Sequence, residues 1–295
     1  MQTDGKLPVD SKTWLITGAS SGLGFALAQY VLEQGDCAVL GARNLRPMSE
    51  LVAHYPDTGL ALTLDVTRHE DRAAAIVQAE GRFGGIDVLV NNAGIDFLGA
   101  IEEQEERDYR ELFEVNFFAA VALLRGVLPG MRLRRQGTII NISSMDGIAS
   151  LPVNGYYSAS KFALEGLTES LWQEIEPLGL RAFLVEPGSF RTGIEQRTKF
   201  SGSVIDAYEA TSGTFRKMVD TLSSDQFPGD LARFPTSFIS PRATALNEHA
   251  SDSPLNQACS VNGRQRRERI KNRHLSAPAY IRREQQRYAT RWRRK

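Results

Sequence analysis

One stretch constrains this chain more than any other. It is Thr13-Trp-Leu-Ile-Thr-Gly-Ala-Ser-Ser-Gly-Leu-Gly24, in which an apolar run of strand length meets Gly18, Gly22 and Gly24 and then a helical pattern. A strand that turns through glycines into a helix is built to hold a phosphate. Gly18 lets the chain reverse sharply, Gly22 removes a side chain where backbone must approach a pyrophosphate, and Gly24 permits close helix packing. The helix N-terminus, with Leu23 in its first turn, adds free N–H groups and partial positive charge. The same strand-helix alternation then continues over residues 12–190, which predicts a doubly wound α/β fold, three layers deep, with a mostly parallel sheet. Strands are expected at Thr13–Thr17, Ala38–Leu40, Leu60–Asp65, Val88–Asn91, Thr138–Ser143 and Ala182–Glu186. Helices are expected near 22–34, 46–54, 69–82, 105–130 and 156–176, the first stopped by Gly35 and the last by Pro177 and Gly179.

Composition narrows the class without naming a chemistry. Of 295 residues, 42% are hydrophobic and 24% charged, which excludes collagenous, disulfide-scaffold and wholly disordered chains. The zero net charge conceals two differently composed pieces: residues 1–230 hold 20 basic and 31 acidic residues, and residues 231–295 hold 15 and 4. One domain over 1–230 with a basic, Pro- and Arg-rich tail over 231–295 is therefore predicted, the tail poorly ordered. Within the domain, about 188–230 reads as a mobile substrate loop with one helix-like piece, Thr214–Leu222. With Cys37 in an apolar run and Cys259 in the tail, no disulfide framework is legible, and a reducing, cytoplasmic setting is expected. The longest apolar run, Phe117 to Leu124, is under half of the roughly 18 residues of a membrane span, so none is expected.

The strand ends suggest a cofactor. In this arrangement an acidic residue closing the second strand would accept from a ribose 2′-OH, whereas a 2′-phosphate needs a cation. The sequence there is Ala38-Val-Leu-Gly-Ala-Arg43, with no carboxylate; Arg43 can fork onto a phosphate dianion and Ser20 or Ser21 can donate from the first turn. NADP(H) is predicted. Asp65 and Val66 close the third strand, where a carboxylate can accept from an adenine amino group. Asn91-Asn92-Ala93-Gly94 closes the fourth, its small residues letting ribose and nicotinamide lie against backbone.

The reactive pair is Tyr157 and Lys161, four apart on a helix and so on one face. A phenol is a poor base at neutral pH; an adjacent ammonium, together with an oxidised nicotinamide, is expected to favour phenolate and bring proton transfer within reach. Ser144, at the end of the fifth strand, is placed to hydrogen-bond the same substrate oxygen.

In these residues the chain resembles the short-chain dehydrogenases/reductases. Thr17-Gly-x-x-x-Gly-x-Gly24, Asp65, Asn91-Asn-Ala-Gly94, Asn116, Ser144, Tyr157-x-x-x-Lys161 and Pro187-Gly188 followed by Thr192 fall in that family's order over about 12–195. The stretch Ser158 to Leu167 is similar to the branch with 17β-hydroxysteroid and retinol-type enzymes and microbial ketoreductases. The resemblance implies a Rossmann-type fold and a tetrad of Asn116, Ser144, Tyr157 and Lys161, with Lys161 also on the nicotinamide ribose and relaying protons through a water near Asn116. It selects Ser144 over Ser143, and implies Pro187 and Gly188 beneath the nicotinamide, Thr192 on its carboxamide and Phe190 among the cofactor-binding residues. It also implies a small-molecule carbonyl or secondary-alcohol substrate and homo-oligomers paired through the helices near 105–130 and 156–176. After Asp230 the resemblance ends.

Two other functions stay open from sequence. One is a dinucleotide-binding protein without a finished substrate pocket. The other is attachment of the basic tail, from Arg264 onward, to an acidic partner; nucleic acid is not the expected partner.

Overall fold

The computed structural model of the chain describes residues 11–188, 190, 198–221, 230, 231, 234 and 235. In chain order its elements are β1 (Thr13–Thr17), α1 (Gly22–Glu33), β2 (Cys37–Ala42), α2 (Arg46–Val52), β3 (Gly59–Thr63), α3 (His69–Phe83), β4 (Val88–Asn91), β5 (Phe97–Leu98), α4 (Glu106–Phe113), α5 (Ala119–Arg134), β6 (Thr138–Ile142), α6 (Gly155–Ile175), β7 (Arg181–Val185), β8 (Lys199–Phe200) and α7 (Thr214–Thr221). All six strands expected from sequence form, within a residue or two of the predicted ends. They make one sheet in the order β3-β2-β1-β4-β6-β7, with every neighbouring pair parallel.

The sheet is buried on both faces, which is why its strands read as near-continuous apolar runs. Trp14 and Ile16 of β1 point into one core with Leu27 and Val31 of α1, Leu40 of β2 and Met48 of α2. Leu15, between them, points into the other, with Val39, Leu89, Ile139, Leu123 and Val127 of α5 and Leu171 of α6. The order reverses between β1 and β4, and an open parallel sheet leaves a crevice at such a point, beyond the C-terminal ends of its strands.

Three features differ from the sequence expectation. The helix predicted at 105–130 runs unbroken from Glu106 to Arg134, widening into a single π turn over Glu114–Phe118. With 29 residues and a mean hydropathy of 1.6 in its most apolar window, that helix is long and apolar enough to cross a bilayer, which counting only uninterrupted apolar residues missed. Here its Ala119, Leu123, Leu124, Val127 and Met131 face the core beneath the sheet.

The segment after β7, expected to be mobile, is tied down where it is described. β8 pairs in parallel with β5, and Ser201 Oγ donates to Asp108 Oδ2 at 2.6 Å and accepts from Glu105 N at 3.0 Å. Buried Glu103 accepts from Ala100 N, Ile205 N, Ser212 Oγ and Arg216 Nη2 at 2.9, 3.1, 2.7 and 3.1 Å. Finally, packing continues past residue 230. Leu231 packs against the first core, and Phe234 is 1% exposed within it, its ring edge-on to Phe190 at 5.5 Å. The rest of the predicted tail lies outside the described residues.

Candidate active site

A cavity of about 710 Å³ opens at the reversal point, lined from the glycine turn to the N-terminal part of α6. Gly18, Ser20, Ser21, Gly22 and Leu23 form one end; Arg43, Asp65 and Val66 flank it; Asn92, Ala93 and Gly94 form its floor; Ser144, Tyr157, Lys161, Pro187, Gly188 and Phe190 close the other end. Of the described residues singled out from sequence, two do not line it. Gly24 packs underneath, where a Cβ would stand 2.4 Å from Asn92 Nδ2 and 2.6 Å from Gly18 O. Asn116 lies buried behind the floor, and Thr192 is outside the described residues.

The glycine turn is fastened to the floor across the sheet reversal. Thr17 Oγ1 donates to Val90 O at 3.2 Å and accepts from the Asn92 and Ala93 N–H groups at 3.0 Å. Asn92 Nδ2 donates to Thr17 O at 2.8 Å and Gly18 O at 3.3 Å. Gly18 and Gly22 have φ of +64° and +58°, and a Cβ on Gly18 would lie 2.9 Å from Ala93 Cα, so a side chain there is excluded on both counts. Ser21 precedes α1 without a side-chain cap. The first N–H groups of α1 lack acceptors within the helix and border the cavity, as a diphosphate requires.

Asp65 holds its own loop: its Oδ1 accepts from Thr67 N at 3.0 Å and Thr67 Oγ1 at 2.7 Å. Burial pushes its carboxyl up, but those donors, then Arg43 and Arg68, bring it below the ordinary carboxylate range. Arg43 stands exposed at the cavity rim directly after β2, with no carboxylate at that strand end.

At the reactive end, α6 carries Tyr157 and Lys161 one turn apart, with Lys161 Nζ 5.6 Å from the Tyr157 ring centroid. Buried Lys161 donates to Ile142 O at 2.9 Å, which anchors it to the end of β6. Burial pulls its ammonium down to about 8, against the pull of Asp96, Glu165 and Asp146. Ser144 Oγ accepts from Asp146 N at 3.1 Å and lies in hydrogen-bonding reach of the Tyr157 hydroxyl. Asn116, on the π turn, spends both ends of its amide on Ile95, accepting from N and donating to O at 2.9 Å, and reaches Ser160 Oγ at 3.3 Å. It braces Ile95 beside Gly94 and does not face the cavity.

The chain just before α6 is strained. Val153 has φ of +65°, left-handed for a β-branched residue, while its carbonyl accepts from Gly99 N at 2.9 Å. Stacking of Tyr156 on Tyr109 of α4, 4.4 Å between ring centres, adds a second anchor for that helix start.

The surroundings of the ring act against the phenolate expected from Lys161 together with an oxidised nicotinamide. Tyr157 is pushed above the usual phenol value, first by burial and then by the charges of Asp96 and Asp146, with Ser144 opposing. Neither Asp96 nor Asp146 was among the residues singled out from sequence. Both line the cavity, as do Glu111 and Val115. A carboxylate two residues beyond Gly94, at a strand's C-terminal edge, was the legible signal for Asp96.

Comparison with known proteins agrees with this geometry. A family model described as short chain dehydrogenase matches residues 12–200. The 3-ketodihydrosphingosine reductase of Bacteroides thetaiotaomicron is 42% identical over 187 residues, covering 63% of this chain and 67% of that protein. Retinol dehydrogenase 8 of Bos taurus is 34% identical over 257 residues, covering 84% of this chain and 75% of its own, a match that extends beyond residue 230. Among solved structures, a short-chain dehydrogenase from Streptomyces avermitilis superposes with a TM-score of 0.72 at 40% identity, over 78% of this chain and 83% of that one. Another from Burkholderia phymatum, in complex with NAD, gives 0.70 at 25% identity, over 80% and 86%. With the glycine turn, the floor and the Tyr157–Lys161 pair all opening on one cavity, and a family model covering most of the chain, the protein belongs to the short-chain dehydrogenase/reductase family of oxidoreductases.

Proposed function

We propose that the chain interconverts a carbonyl and a secondary alcohol with NADP(H), Tyr157 giving or taking the proton on the substrate oxygen. The observation that carries this is the meeting of Tyr157, Lys161 and Ser144 at one end of a cavity whose other end is a glycine-lined helix N-terminus. The residues fit a dinucleotide along that length. The first turn of α1 takes the diphosphate, and Arg43 with Ser20 and Ser21 takes a 2′-phosphate. Asp65 and Val66 border the adenine, Asn92 to Gly94 and Lys161 the nicotinamide ribose, and Pro187, Gly188 and Phe190 the nicotinamide face. When bound, the nicotinamide supplies or accepts a hydride at the reacting carbon.

Ser144 positions the substrate oxygen and donates to it as charge develops. Tyr157, its phenol pushed above the usual value by burial and by two carboxylates, is set to donate to that oxygen in reduction and to take the proton back in oxidation. Lys161, fixed to Ile142 O, keeps a positive charge beside the ring. The Burkholderia phymatum relative was solved with NAD, so the NADP(H) preference here rests on Arg43 and on the lack of an acid after β2.

The test is titration of NADPH and NADH into the full chain, together with turnover on a panel of ketones. Tyr157→Phe is expected to lower turnover by about 100-fold or more while leaving NADPH affinity nearly unchanged. Arg43→Ala is expected to weaken NADPH by about tenfold more than NADH. Dinucleotide binding without turnover on any ketone would reduce the protein to a nucleotide binder. Equal weakening of the two dinucleotides in Arg43→Ala would remove the 2′-phosphate role.

A further inference from the structure

Two carboxylates line the reactive end of the cavity, Asp146 within hydrogen-bonding reach of Ser144 and both within the field of Lys161. Asp96 follows the floor, and Asp146 lies in the short turn after Ser144. Each has one oxygen held by the protein and one left idle. Asp96 is met by the Phe97 N–H, while its Oδ1 is shut off from solvent with no hydrogen-bond partner. Asp146 Oδ2 accepts from Asn154 Nδ2 at 2.9 Å, while its Oδ1 is likewise buried and unpartnered.

A structural salt bridge does not explain the pair. Among the described residues neither carboxylate is in an ion pair, and Lys161, the cation whose charge they feel, donates to Ile142 O. A buried carboxylate oxygen without a donor is costly, and two such groups close together repel. Burial and then Asp146 push Asp96 up to about 7, and burial pushes Asp146 up to about 6. Both effects would be relieved by a cationic donor in the cavity.

We infer that Asp96 and Asp146 recognise a protonated amine on the substrate, carried within a few bonds of the carbonyl or carbinol carbon. The substrate class is then an amino ketone or amino alcohol. An ammonium brings three N–H donors and a positive charge to the two carboxylates where they border the cavity. It also offsets the negative charge of the pair, which adds to burial in keeping the Tyr157 proton in place, so binding the correct substrate readies the acid. A neutral ketone of the same shape would leave both carboxylates unsatisfied. This inference rests on the oxidoreductase reading above but deepens it to a substrate chemistry.

The experiment compares three alcohols of one shape with the full chain and NADP⁺ at pH 7: 2-amino-1-phenylethanol, 1-phenylpropan-1-ol and 1-phenylethane-1,2-diol. Each is followed by turnover and, with dinucleotide bound, by calorimetric titration. The amine is expected to exceed both neutral compounds by about tenfold or more in kcat/KM and in affinity. In Asp96→Asn and in Asp146→Asn that ratio is expected to fall toward one. A ratio near one in the wild type, a diol that matches the amine, or a ratio retained in both variants would overturn the inference. Failure of the oxidoreductase reading looks different: no alcohol turns over, while the calorimetric ratio still decides whether the amine is recognised.

Discussion

Asp96 binds its proton more tightly in the folded chain than an ordinary aspartate, because burial and Asp146 both disfavour its charge. The consequence for stability has a definite sign. Below the ordinary value of 3.8 the group is protonated folded or unfolded; as pH rises toward about 7 only the unfolded chain releases its proton, and stability falls. Asp96→Asn is therefore expected to raise the free energy of unfolding at pH 8 by about 2 kcal/mol, allowing for partial exposure, and to change it little near pH 4. Urea unfolding at the two pH values measures this, and an equal shift at both would exclude the linkage. A residue that costs stability while facing a cavity is the usual mark of function over folding. Little of this was legible in the sequence. Tyr157, Lys161 and Ser144 were found because fixed spacing on a helix and a strand end carries information. Asp96 lies in a loop with no period, and the upward shift of Tyr157 depends first on burial and then on carboxylates from two other segments.

Among the elements, the pairing of β5 with β8 shows how the wall beyond Tyr157 is held. Burial alone would raise Glu103, but the Ser212 hydroxyl, the Ile205 and Ala100 N–H groups and Arg216 bring it down to about 2. Its contribution is present above the ordinary value of 4.5 and is lost as pH falls toward 2. Glu103→Gln keeps an acceptor but strands the Arg216 guanidinium, only 15% exposed, which is expected to cost about 3 kcal/mol of local stability. Faster proteolytic cleavage within 198–221, with unchanged rates elsewhere, is the expected readout; unchanged cleavage there would show that the cluster does not hold the segment. The six long strands and their helices were legible because each spans enough residues to show a period or an apolar run. β5 and β8 have two residues each and show neither. Glu103 read as one acid among Glu102, Glu105 and Glu106, and only folding separates the buried one from its exposed neighbours.

Across the whole molecule, the layered sheet and its strand order follow from the alternation of strands and helices over 12–190, since parallel strands need helical crossovers of one hand. The end of the packed body did not follow. Phe234 stands in polar text punctuated by Pro228, Pro235 and Pro241, yet it fills the first core beside Phe190, a residue that also lines the cavity. Phe234→Ala is expected to destabilise the chain by about 3 kcal/mol, measured as a lower denaturant midpoint; a change within error would show that this aromatic pair contributes nothing. The reversal of strand order has a consequence of its own. The strands β1, β2 and β3 lie to one side of the seam between β1 and β4, and β4, β6 and β7 lie to the other. Thr17 and Asn92 stitch the two edges at the top. A molecule reaching from Arg43 to Lys161 therefore braces one half-sheet against the other, so that loading the crevice and stiffening the whole protein become a single event.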